Sequence, residues 1–209
     1  MSFLIFGLIA YLLGSIPSAV WVGKKWYGVD VREAGSKNSG ATNTFRLLGK
    51  KAGIIVLLLD IFKGLLAVIL PVIIFNSEFQ ELIQVEVIHV QIVCAITAVF
   101  GHVFPLFASF KGGKGVATSL GIVIGIHPPT ALVCLLIFLV IFIISSYVSF
   151  GAIVSAVLFP VILIFVFSET DPWLITFSLV LSLAVVLAHR KNIGRLLKGE
   201  ENKMKLFKK

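Results

Sequence analysis

The sequence predicts an all-α, polytopic integral membrane protein of seven transmembrane helices, one of them short, with its N-terminus outside and its C-terminus cytoplasmic. Three observations predict it. The 209 residues are 58% hydrophobic and 13% charged, with a mean hydropathy of +1.07, where a globular domain carries about 45–50% and about 25%. The apolar residues gather into runs of membrane-spanning length. The cationic residues fall almost entirely in alternate connections between those runs.

The runs lie at roughly 2–23, 52–75, 87–107, 115–127, 129–146, 149–167 and 173–189. A helix crossing a hydrocarbon core of ~30 Å needs about 20 residues, with a lower limit near 17. No basic region precedes the first run, no small-x-small cleavage site ends it, and basic residues follow it. It is therefore expected to stay as a span rather than leave as a signal peptide. The fourth run, near 115–127, is short and stops at His127-Pro128-Pro129. It is either a half-helix or a span extended by irregular backbone.

The charges orient the runs. With the N-terminus outside, the inner segments are 24–51, 108–114, 145–149 and 190–209, and 17 of the 18 Lys and Arg residues lie in them. Seven sit in the first, two in the second and eight in the tail; only Lys63, within the second run, lies elsewhere. The opposing segments "NSEFQELIQVE", "HPP" and "SETDP" carry no Lys or Arg. That asymmetry is the positive-inside pattern. Joining the fourth and fifth runs into one span would put the basic tail outside, so parity favours seven crossings, or five if those two runs form a re-entrant pair. No soluble domain and no internal repeat is visible, and residues 1–209 read as one domain. Cys94 and Cys134 fall inside apolar runs and read as small buried residues, with no disulfide framework or cysteine metal site.

Three polar clusters share the inner side. In "VDVREAGSKNSGATNTFRLLGKKAG" a short helix is expected from Ser36 onward, capped by Ser36 or Asn38 and stopped by Gly49. Ser39, Thr42, Asn43 and Arg46 then recur on one face. Such a segment is either an amphipathic connector against lipid headgroups or a phosphate site, because a guanidinium fork matches two phosphate oxygens. In "FKGGKGVAT", Gly112, Gly113 and Gly115 let the backbone approach a ligand, Lys111 and Lys114 add charge, and the following helix presents its positive end. No G-x-x-x-x-G-K-[ST] spacing is present, so this is not a Walker loop. It reads as a phosphate cradle, with a basic lipid-anchoring turn as the alternative. In "HRKNIGRLLKGEE", His189 and Asn192 share a helix face at the end of the last span, in a tail whose plain reading is anchoring.

Weaker signals complete the inventory. Asp60 and Lys63, three apart in the second span, are expected to pair, since a lone charge there is costly. His89 and His127 are expected to be structural or interfacial. No grouping has metal-ligand spacing. On these residues alone the chain is a phospholipid enzyme or a transporter of small phosphorylated anions, with the one-sided charge set against the transporter.

"GSIP", "DVREAGSKNSGATNTFR", "LLLDIFKG", "GHVFPLFASFKGGKGVAT" and "HRKNIGRLLKGEE" together resemble, in order and from first span to tail, the bacterial acyl-phosphate:glycerol-3-phosphate acyltransferase family, commonly called PlsY. Residues 119–188 add little to the likeness beyond hydrophobicity. The resemblance implies a seven-span enzyme of the bacterial inner membrane with a cytoplasm-facing site. It would move a fatty acyl group from acyl phosphate to the 1-hydroxyl of glycerol 3-phosphate, without a cofactor. It implies substrate-binding roles for Ser36, Asn38, Thr42, Asn43, Arg46, Lys111, Gly112, Gly113, Lys114, Gly115 and Glu201, and catalytic roles for His189, Asn192 and His102. The expected partners are the two substrates and membrane lipids, with no nucleic acid and a single chain as the working unit. The family lacks the His-x4-Asp motif of other glycerol-phosphate acyltransferases, and here His102 is followed four residues on by Leu106. His102, His189 or a substrate phosphate oxygen is left as proton acceptor, and direct attack without an acyl-enzyme is expected.

Overall fold

The structure is a computed structural model that describes residues 2–75 and 87–204. The outer segment 76–86 and the last lysines of the tail, both used in the charge argument, lie outside the described residues. Among those residues ten α-helices and no strands are present: α1 Ser2–Gly14, α2 Ser18–Tyr27, α3 Ala41–Leu48, α4 Lys50–Phe75, α5 Val87–Val103, α6 Val116–Ile126, α7 Pro128–Ser145, α8 Val148–Val161, α9 Pro172–Ala188 and α10 Arg190–Leu197. Five stretches are long and apolar enough to cross a membrane: Phe3–Tyr27, Lys50–Ile74, Val87–Ala108, Pro128–Ser145 and Val148–Val166. A sixth is counted if α9 and α10, bent by 59°, form one span. At 11 residues α6 is apolar but short, about 16 Å at 1.5 Å per residue.

Two expectations are corrected in detail. The first run is not a continuous helix: it breaks at Ser15-Ile16-Pro17, because Pro17 has no N–H to continue the ladder, and resumes as α2. Gly28, at φ 66°, ends α2. The N–H groups of Gly28 and Val29 turn back to the Lys24 and Gly23 carbonyls, a Schellman ending. The polar helix expected from Ser36 begins instead at Ala41, with Gly40 at its cap and no side-chain cap bond. Lys37 has φ 57°, a left-handed conformation that a right-handed helix cannot include. Gly49 stops α3 as expected.

The chain divides into two compact units, Met1–Ile126 and His127–Lys209. In the first, α4 packs on α6 and α1 on α5, while α3 lies against α4. A Cβ on Gly64 would strike the Thr118 carbonyl, and one on Gly121 the Ile61 carbonyl. Missing side chains thus set the α4–α6 approach, the usual device where lipid supplies no hydrophobic force between helices. Gly121→Ala should lower stability by about 1–3 kcal/mol, read as a fall in the unfolding midpoint in detergent. Below α2 and α3, Ala19, Val20, Val22, Val31, Ala52 and Val56 form a buried apolar floor. In the second unit α8 packs on both α7 and α9. His127 Nδ1 accepts from the Thr130 N–H and caps α7, a structural role matching expectation.

Candidate functional site

The loop before α3 is shaped by its own polar residues. Arg32 grips Asp30 with two bonds, Nε to Oδ1 at 2.9 Å and Nη2 to Oδ2 at 2.7 Å, and Lys24 adds a contact of 3.2 Å. The Arg32 guanidinium holds the Asp30 carboxyl well below the usual carboxylate range. Asn43 is buried, at 1% exposure. Its Nδ2 donates to the Val31 and Ala34 carbonyls at 2.7 and 3.2 Å, and its Oδ1 accepts from the Ser36 N–H at 2.9 Å. Its amide therefore shapes the loop. Ser36 and Arg46 are exposed, while Asn38 and Thr42 are half-buried.

Two bonds join this loop to the glycine segment. Arg32 Nη1 donates to the Ala108 carbonyl at 2.9 Å, and Ser39 Oγ to the Lys111 carbonyl at 3.4 Å. Clusters some 72 residues apart thus become neighbours, with Ser36, Asn43, Lys111 and the glycines in one region.

The glycine segment folds back on the end of α5. Gly112 N–H donates to the Val103 carbonyl at 3.2 Å and Gly113 N–H to the His102 carbonyl at 3.1 Å. A Cβ on Gly112 would strike the His102 and Val103 carbonyls, and one on Gly113 would strike His102 Nε2. Those two N–H groups are used within the fold, so they are not the ones a ligand meets. The donors left over are those of the first turn of α6, from Val116, which have no intrahelical acceptor. Gly115, at φ 81°, turns the chain into that helix. Lys111 is exposed and Lys114 half-buried beside it.

The tail cluster is a knot around Glu201, which is 8% exposed. Oε1 accepts from Ser149 Oγ at 2.9 Å and Asn192 Nδ2 at 2.7 Å, and Oε2 from Arg195 Nε at 2.6 Å. Burial pushes this carboxyl up, but the bonds from Arg195, Asn192 and Ser149 outweigh it and the net shift is downward. His189 is buried at the α9–α10 bend. Its Nδ1 lies 2.8 Å from the Val185 carbonyl; a carbonyl only accepts, so the ring proton sits on Nδ1. The Met204 N–H donates to the Ser146 carbonyl at 2.8 Å, returning the chain end to the start of α8. Among the described residues no group of three His, Cys, Asp or Glu is placed to hold a metal.

Sequence reading missed the Asp30–Arg32 clamp, the inward turn of Asn43 and the part of Ser149. The clamp had a visible signal in D-V-R, a carboxylate two residues before a guanidinium. Ser149 had none.

An all-helical scaffold with several membrane-length apolar helices, and with cationic glycine- and amide-rich loops joined at one end, defines a helical membrane protein equipped for anionic groups. The chain belongs to the glycerol-3-phosphate acyltransferase family, whose model matches residues 4–199. A glycerol-3-phosphate acyltransferase of Fusobacterium nucleatum is 41% identical over 205 residues, covering 98% of this chain and all of the relative. One from Enterococcus faecalis is 42% identical, covering 98% and 93%. Among solved structures, PlsY (YgiH), an integral membrane glycerol 3-phosphate acyltransferase, matches in its glycerol 3-phosphate form with TM-score 0.85 and 36% identity, over 98% of this chain and 96% of that one. Its lysophosphatidic acid form matches with TM-score 0.83.

Proposed function

We propose that the protein transfers a fatty acyl group from acyl phosphate to the 1-hydroxyl of glycerol 3-phosphate, giving 1-acylglycerol 3-phosphate and inorganic phosphate. The observation that carries this reading is the junction of the first loop with the glycine segment through Arg32 and Ser39, which gathers phosphate-suited groups from two distant stretches. The relatives' names give the acceptor and the reaction class. The chain works as one domain of seven crossings in the bacterial inner membrane, N-terminus outside, with its reaction on the cytoplasmic side. The one-sided distribution of Lys and Arg supports that orientation.

In this reading Lys111 and Lys114, with Gly115 and the first turn of α6, take a phosphate, and Gly112 and Gly113 serve by seating the segment on the end of α5. Arg46, Ser36, Asn38 and Thr42 take the other, and Asn43 serves by holding the loop. The acceptor oxygen attacks the acyl carbonyl carbon, the bond from that carbon to the phosphate oxygen breaks, and phosphate leaves with the electron pair. The proton passes to a phosphate oxygen of substrate. His102 orients the reacting groups, and Glu201 anchors the tail that carries His189 and Asn192. Acyl phosphate is already an activated anhydride, so positioning, worth ~7–11 kcal/mol in favourable cases, does most of the catalysis.

Purified protein given acyl phosphate and labelled glycerol 3-phosphate should form labelled acylated product. Labelled anion accumulating in vesicles with no acylated product would make the chain a transporter instead. Arg46→Ala should raise the KM for glycerol 3-phosphate about 10–100-fold, the worth of a charged hydrogen bond of about 1.5–3 kcal/mol. Unchanged kinetics would remove Arg46 from the site.

A further inference from the structure

The Asp60–Lys63 pair takes no part in the proposed reaction, yet it is a deeply buried ion pair. Asp60 is 2% exposed and Lys63 5%, and Lys63 Nζ lies 2.9 Å from Asp60 Oδ1. Each also reaches another element. Lys63 Nζ donates to the Ile16 carbonyl at 2.8 Å, at the break between α1 and α2. Ser18 Oγ donates to Asp60 Oδ1 at 2.9 Å.

The same carboxylate oxygen also lies toward His102, near the end of α5, at 3.8 Å from His102 Nδ1, and that nitrogen is 3.0 Å from Thr118 Oγ1 in the first turn of α6. The opposite edge of the ring, Nε2, abuts Gly113, while the His102 carbonyl receives the Gly113 N–H. His102 therefore holds the segment by its backbone and lies against it by its ring, with Thr118 bonded to that ring and the Asp60 charge beside it.

Charge attraction alone does not account for such a pair. Desolvating two charges consumes most of their attraction, and apolar residues of similar volume often serve a core as well or better. What an apolar pair cannot provide is a negative charge fixed beside His102 Nδ1. A carboxylate 3.8 Å away, too far for a hydrogen bond but close enough for its charge to act, favours the tautomer with its proton on Nδ1, where it meets Thr118 Oγ1, and leaves Nε2 unprotonated beside Gly113.

We propose that Asp60 and Lys63 are positioning residues for acyl transfer, fixing the tautomer and tilt of His102 and through it the 112–115 segment. The inference rests on the reading of that segment as a phosphate site. Lys63 neutralises Asp60 and ties it to the α1–α2 break; Asp60 orients His102; Thr118 couples the same ring to the start of α6.

The test compares kcat, both KM values and the unfolding midpoint for wild type, the paired variant Asp60→Leu/Lys63→Met, Thr118→Val and a control, Gln91→Met. The control removes a buried bond remote from this network, Gln91 Nε2 to the Val68 carbonyl at 2.9 Å. The paired variant is expected to stay folded, with a midpoint lowered by the loss of the bonds to the Ile16 carbonyl and from the Ser18 hydroxyl, and with kcat at temperatures below that midpoint reduced roughly tenfold to a hundredfold, the scale of a small misplacement of reacting groups. Thr118→Val should reduce kcat in the same direction, and Gln91→Met should leave the kinetics unchanged whatever its midpoint. A folded paired variant with wild-type kcat overturns the proposal. If the paired variant does not fold, Thr118→Val decides: a reduced kcat at an unchanged midpoint supports it, and a wild-type kcat overturns it. A wild type that forms no acylated product overturns the phosphate-site reading along with this one, whereas an active wild type with indifferent variants overturns this one alone.

Discussion

Gly112→Ala should reduce acyl transfer on the order of 10³-fold, the loss seen when a preorganised set of catalytic donors is displaced. A Cβ at this position meets the His102 and Val103 carbonyls and comes within 2.6 Å of Pro105 Cδ. Two of those neighbours are backbone at the end of α5, so no rotamer change makes room. The segment would lift away, breaking the bonds from Gly112 and Gly113 to Val103 and His102 and shifting Lys111, Lys114 and the first turn of α6. The fold does not depend on this turn, since the α4–α6 and α1–α5 contacts form elsewhere. The expected signature is a nearly unchanged unfolding midpoint with kcat/KM depressed for both substrates. Wild-type turnover in this variant would show that the segment has no part in the reaction.

Glu201→Ala should act in the opposite way, through stability. It leaves Ser149 and Asn192 buried without their acceptor and the half-exposed Arg195 without its partner, and leaving buried polar groups unsatisfied costs about 1–3 kcal/mol. The tail beyond α10 should then detach and become open to proteolysis, with a lowered midpoint. The same group makes a pH prediction. Its folded-state carboxyl is shifted below the ordinary value of 4.5, so its contribution is fully present above that pH and is lost as pH falls through the lower, folded-state value. Wild type should therefore hold its midpoint from neutral pH down to about 4.5 and lose it in stronger acid. Glu201→Gln should start lower and lose less over the acid range. Equal acid sensitivity in both would separate the knot from the acid transition.

These two residues also show what a sequence can disclose. Glycines next to lysines at the mouth of an apolar run announce a close backbone approach, though at Gly112 the backbone approached is the end of α5 and not the expected ligand. Which N–H groups stay open was not legible, because the Gly112 and Gly113 bonds go to carbonyls nine and eleven residues back, around a turn that hydrophobicity does not describe. Glu201 was visible only through a family likeness; its partner Ser149 is 52 residues away and no spacing links them. Helix ends followed the apolar runs closely because lipid solubility and helix formation coincide there. The exception was the first run, where "GSIP" marks a break that composition passes over. Asp60 and Lys63 were readable as a pair because helical geometry brings residues three apart together. That their partners would be Ile16, Ser18 and His102 depended on three other elements.

The break between α1 and α2 bears on how the chain is held in the membrane. A helix interrupted in lipid leaves backbone carbonyls without partners, and each is costly in hydrocarbon. Here the Ile16 carbonyl is met by Lys63, which lies 47 residues further on and is itself intolerable in lipid without Asp60 and that carbonyl. Neither segment is at ease in the bilayer alone. The opening helix pair and α4 therefore gain their stability in the membrane from each other, and only once both are present.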